Sequence, residues 1–136
     1  MAAALCTTAT TTTTASAAFT ATGAGLAVSG AATMPSGPTP TVRVAGLNGV
    51  AATYEVSFPG IAAGTSTVPV TSYVVQRQLG ATWITPTGSC ATAVPVATPA
   101  PTAYVCTESL LLSLGQPRYR VAAAYRSWTG APGATG

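Results

Sequence analysis

Ala52, Tyr54, Val56 and Phe58 alternate with Thr53, Glu55 and Ser57, and Pro59-Gly60 stops the run. A two-residue period of this kind is the pattern of a strand with one buried face. It recurs at Tyr73 and Val75, in a run that ends near Leu79-Gly80. It appears again where Tyr119, Val121, Ala123 and Tyr125 alternate with Arg118, Arg120 and Arg126. Shorter strands are expected at Val42 to Ala45 and around Thr102 to Thr107. No segment carries a strong helical period. Several short strands separated by Gly/Pro turns predict an all-β sandwich.

The two ends of the chain are unequal. Ser127 to Gly136 offers no alternating apolar run, so the sandwich is expected to lack its last strand. At the other end, residues 7–14 are Thr except for Ala9, after which Ala15, Ala17, Phe19 and Ala21 fall on one face of an extended segment. Leu26 and Val28 resume the alternation in the opposite phase beyond Gly23 and Gly25. Three prolines in Met34–Pro40 rule out a central strand there. The expected organisation is a strand arm over 1–33, a Pro-rich hinge over 34–40, a sandwich over 41–128 and a flexible tail over 129–136. In this reading Ala15, Ala17, Phe19, Ala21, Leu26 and Val28 form the subunit-interface face of the arm. Tyr119, Val121, Ala123 and Tyr125 line the groove that accepts an arm.

Composition narrows the chemistry. Charged residues are 5% of the 136, against roughly 25% in an average domain, so little charge opposes association. The net charge of +3 comes from five dispersed arginines and two glutamates, which is not a nucleic-acid surface. No apolar run approaches the ~18 residues of a membrane helix. Met1 to Ala17 has no positive charge, so it is read as a retained segment, not an export signal; export is inferred from the cysteines and the composition.

Without His or Asp there is no Ser-His-Asp or Cys-His arrangement and no ordinary hydrolytic zinc site, and no enzyme, metal or cofactor is expected. Glu55 reads as a solvated strand residue and Glu108 as a turn or cap residue. Arg118, Arg120 and Arg126 form either the wet face of a strand or a stripe for an acidic polysaccharide. Tyr73, Trp83, Tyr119 and Tyr125 are core aromatics or a sugar platform. Without Lys, an isopeptide-linked polymer is excluded.

Three cysteines in a loop-rich chain favour one disulfide and one leftover thiol. Cys90 and Cys106 bracket the Pro-rich Val94–Pro101, and closing a loop of that size is worth roughly 3 kcal/mol. The alternative is three buried, reduced cysteines. Cys6 is then a free thiol or a link to another subunit.

Val56-Ser57-Phe58-Pro59 resembles the second strand of fibronectin type III domains, which are immunoglobulin-like sandwiches. Tyr73-Val74-Val75, followed by Gly80 and Trp83, is similar to that family's third strand and turn. Leu114 to Val121 resembles the approach to its sixth strand, where a tyrosine forms a corner. The resemblance spans about Thr41 to Trp128 and implies a fold, not a function. An arm beside an open sandwich resembles donor-strand pilins, in layout only. That layout implies a subunit of an extracellular, cell-surface filament whose partners are copies of itself, with a surface glycan or cell-envelope anchor as a further partner. The alternative is a secreted adhesion module for carbohydrate or protein, monomeric with its arm folded back.

Overall fold

The computed structural model of the protein describes residues 32–62, 67–112 and 115–136. The chain divides into two units, Met1–Ala32 and Thr33–Gly136. Ala15, Ala17, Phe19, Ala21, Leu26 and Val28 lie outside the described residues.

The second unit is a sandwich of two antiparallel sheets. Its strands are β1 (Thr41–Asn48), β2 (Ala51–Phe58), β3 (Ser72–Leu79), β4 (Thr82–Ile84), β5 (Val94–Pro95), β6 (Tyr104–Leu111), β7 (Tyr119–Tyr125) and β8 (Trp128–Pro132). One sheet has the order β1-β2-β6; the other runs β4-β3-β7-β8, with β5 also paired to β3. The alternation in β2 places Tyr54, Val56 and Phe58 opposite Glu108, Cys106 and Tyr104 of β6. In the second sheet Tyr73, Val75 and Arg77 of β3 face Ala123, Val121 and Tyr119 of β7.

The buried faces meet in one core of Val56, Phe58, Tyr104 and Cys106 from the first sheet and Tyr73, Val75, Tyr119 and Val121 from the second. Each large apolar side chain removed from water there contributes about 1.5–3 kcal/mol. The rings of Phe58, Tyr73 and Tyr104 lie 5.0 to 5.9 Å apart. The two tyrosine hydroxyls are satisfied at the core's margin, where Ile61 N–H donates to Tyr73 Oη (2.8 Å) and Ala97 N–H to Tyr104 Oη (3.3 Å).

Cys90 and Cys106 form the expected disulfide. It fastens a 3-10 turn, Gly88–Ala91, to β6. The strand expected near Thr102 to Thr107 extends to Leu111, and the one at Val42 to Ala45 extends to Asn48.

Two expectations are corrected. The sandwich has its last strand: Trp128, Thr129 and Pro132 of β8 pair with Tyr125, Ala124 and Ala122. Gly133 N–H then donates to the Val121 carbonyl (2.9 Å) and Gly136 N–H to the Tyr119 carbonyl (3.1 Å), so residues 129–136 belong to the sandwich. A strand held by main-chain bonds at an edge needs no apolar alternation, which is why Trp-Thr-Gly-Ala-Pro gave no signal. Residues 34–40 are likewise docked, because Gly37 N–H donates to the Ala131 carbonyl (2.8 Å).

Glycine makes that docking possible. A Cβ at Gly130 would stand 2.6 Å from the Pro35 carbonyl oxygen, one at Gly133 would meet the Gly37 and Pro38 carbonyls, and one at Gly136 the Pro40 carbonyl. Gly37 itself lies against the Val121 carbonyl and Ala122 Cα. The matched order shows that the two segments run parallel. At each of these positions the approach is closer than a Cβ would allow, so only glycine fits.

Gly37→Ala or Gly133→Ala is expected to cost about 1–3 kcal/mol by overpacking. Gly46→Ala, whose added Cβ would meet open space, should stay within about 0.5 kcal/mol. Urea denaturation of the three variants checks this. Replacing Cys90 and Cys106 together with Ser should lower stability by about 2–4 kcal/mol by the same measurement.

Candidate strand-docking edge

The closure by β8 decides where a site can lie. Tyr119, Val121 and Ala123 have no exposed surface. They are packed inside the sandwich and not in an open groove, because β3 and β8 flank β7, while Tyr125 at its end is half-buried and paired with Trp128. A groove there is ruled out by occupancy.

A sheet's outermost strands leave main-chain donors and acceptors unpaired, and proteins normally shorten, charge or cover them. Here β4 and β5, which flank β3, are three and two residues long. The middle of β6 is covered by the 3-10 turn, where Ser89 Oγ accepts from Thr107 N–H (2.8 Å). The edge of β8 is covered by the Pro-rich segment.

β1 is different. It is eight residues long and, among the described residues, pairs with β2 alone. It contains no Lys and no Pro, and its one charge, Arg43, is engaged by Glu55 (Nε to Oε1, 2.7 Å). That pairing holds the Arg43 guanidinium charged above its ordinary range. The pair is open to water, so it adds little stability.

The apolar side chains of β1 sharpen the point. Val42, Val44 and Leu47 pair with Val56, Tyr54 and Ala52, and directly opposed residues project on the same side. Their partners are buried, whereas Val44 is 54% exposed and Leu47 70%. The core-facing side of β1 therefore continues past the cover given by the second sheet. A bulge between Val44 and Gly46 inserts one residue and brings Leu47 into phase with Val44. That insertion hid the strand's second half from a two-residue count.

The other polar candidates fall elsewhere. Glu108 is neither turn nor cap but lies on the core face of β6, 1% exposed. Its Oε1 accepts from Thr87 N–H (2.7 Å) and Thr87 Oγ–H (3.0 Å), and its Oε2 accepts from Tyr119 O–H (2.6 Å). The Tyr119 hydroxyl thus bonds a carboxylate from the opposite sheet, where the resemblance had implied a tyrosine corner. Burial and then the Glu108 carboxylate push the Tyr119 hydroxyl pKa well above its ordinary value.

Tyr73 and Tyr119 are core residues. Trp83 lies under Arg120, whose guanidinium carbon is 4.3 Å from the ring centroid. Arg126 is in a turn with φ 53° and does not continue a stripe with Arg118 and Arg120. Among the described residues no group of acidic or sulfur side chains could hold a metal, and no helix is long and apolar enough to cross a membrane.

Above pH ~10 an unfolded tyrosine loses its proton while folded Tyr119 keeps it, so this contribution to stability is present at neutral pH and declines as pH rises. Tyr119→Phe should show a shallower alkaline decline than the parent protein in denaturation series. Glu108→Ala, which strands Arg77, should cost about 3–5 kcal/mol at neutral pH. No protein-family model, curated protein or solved structure matches the chain, so the functional reading rests on the geometry of the edge.

Proposed function

We propose that this protein is an exported structural subunit of an extracellular filament, in which an extended segment of one copy pairs with β1 of the next. The observation that carries the reading is the selective protection of the sheet edges: β4 and β5 are short, β6 and β8 are covered, and β1 is left long, nearly uncharged and apolar. In strand addition, main-chain hydrogen bonds supply affinity and alternate side chains set the register. The donor is the segment Ala15, Ala17, Phe19, Ala21, with Phe19 set over the uncovered Val44 and Leu47. The 31 residues before the described region can span up to about 100 Å when extended. A contact between two different surfaces does not close, so it propagates.

The Cys90–Cys106 disulfide supports export, because such bonds persist in oxidising compartments. The partition β1-β2-β6 against β4-β3-β7-β8 supports a fibronectin type III-like sandwich. The competing reading, a monomeric secreted adhesion module, is favoured by one observation: β8 already completes the second sheet.

Deleting residues 1–32 should abolish fibres seen by electron microscopy. Val44→Lys with Leu47→Lys should do the same without lowering the domain's melting temperature, since both side chains are largely exposed. Phe19→Ala should weaken assembly far more than Thr20→Ala. A uniform full-length particle near 13.3 kDa would overturn the filament and favour the monomeric adhesion module.

A further inference from the structure

The residues that alternate with the core positions of β3 and β7 meet on the outward face of the second sheet. Gln76 pairs with Arg120 and Gln78 with Trp83, while Gln78 N–H donates to the Arg118 carbonyl (2.8 Å) on its other side. Directly opposed residues project on the same side of a sheet. Trp83, Gln76, Gln78, Arg118 and Arg120 therefore share one face.

Arg120 is fixed there with part of its fork unused. Its Nε–H donates to Gln76 Oε1 (2.8 Å), and its guanidinium carbon lies 4.3 Å from the centroid of the Trp83 ring. A guanidinium stacked on an indole and bonded through Nε is already ordered before a ligand arrives. Its two terminal amino groups have no acceptor among the described residues. Arg118 follows two residues away on the same face, about 6–7 Å along the strand. It is exposed, and its side chain has no hydrogen-bond or ionic partner among the described residues. No acidic residue stands in any strand of this sheet. The chain's two glutamates are engaged elsewhere, Glu55 by Arg43 on the first sheet and Glu108 inside the sandwich.

We propose that this face binds an acidic polysaccharide, a polyuronate chain lying across β3 and β7 with its carboxylates on Arg118 and Arg120. Charge complementarity selects an anion, and guanidinium matches carboxylate in planar, two-bond geometry. The Gln78 amide and the Gln76 amino group offer hydrogen bonds to ring hydroxyls. A peptide fits less well, because β3 and β7 are each paired on both sides and leave no main-chain groups for a peptide backbone. A bilayer fits less well too: Val74, Ala122 and Ala124, the apolar members of the face, are half-buried or buried and have nothing to insert. The site uses neither the arm nor β1, so it stands whichever assembly reading holds.

The test is calorimetric titration of the full chain with polygalacturonate at low salt, beside neutral dextran and polyglutamate. In a Trp128→Phe variant Trp83 is the single tryptophan, so its emission reports occupation of this face. Saturable binding that changes this emission and weakens with added salt is expected, with dextran inert. Arg118→Gln and Arg120→Gln should each weaken polygalacturonate about tenfold, the loss of one charge-assisted bond. Arg118→Gln has no partner to lose and should keep the parent's melting temperature, so it decides the matter. Arg126→Gln removes the same charge from the turn after β7 and should leave binding unchanged. An equal loss in Arg126→Gln, an unchanged Trp83 emission, or no saturation at about ten millimolar uronate would overturn the site. Dextran or polyglutamate binding as tightly as polygalacturonate would overturn the assignment to an acidic sugar.

Discussion

Every strand carries main-chain donors and acceptors on both sides, and this molecule's form follows from how each unpaired row is disposed of. The disulfide-bound turn serves β6, the Pro-rich segment serves β8, and brevity serves β4 and β5. With so few charges in the chain, the usual device of lining an edge with lysine is not in use. Protection has to come from covering segments, and among the described residues β1 is the long edge strand that has none.

A second constraint acts between the sheets. Glu108 belongs to β6, yet its carboxylate is held by Tyr119 of β7 and by Thr87 from the loop after β4, with Arg77 of β3 in ionic contact. A carboxylate withdrawn from water is tolerated only with such partners. The apolar core sets the distance between the layers, while this polar joint favours one alignment of them. Within this joint Arg77 Nε is buried in ionic contact with Glu108 but without a hydrogen bond, so the joint holds its arginine by charge and not by a directed bond.

Much of the sandwich was legible because its buried strands alternate. β2, β3 and β7 could be read from Tyr54, Val56, Phe58, Tyr73, Val75 and Val121, and the disulfide from the spacing of Cys90 and Cys106. What escaped was held by the backbone and not by side-chain pattern. β8 has no apolar face to detect, and the bulge in β1 breaks the count before Leu47. The burial of Glu108 was hidden because its stabilising partners are distant in sequence: Thr87 lies 21 residues away and Tyr119 eleven. The open edge expected beside β7 is occupied by β8, a strand that left no trace in composition.

The glycine seam has a mechanical consequence. Because residues 35–40 and 130–136 run in the same direction, with Pro35 beside Gly130 and Pro40 beside Gly136, a pull on Thr33 and on Gly136 draws the two segments past one another along their length. Contacts arranged this way share the tension and must give together, whereas a hairpin pulled at its open end parts one contact at a time. The close approach permitted by Gly37, Gly130, Gly133 and Gly136 therefore places the domain's resistance to stretching where chain enters and leaves it.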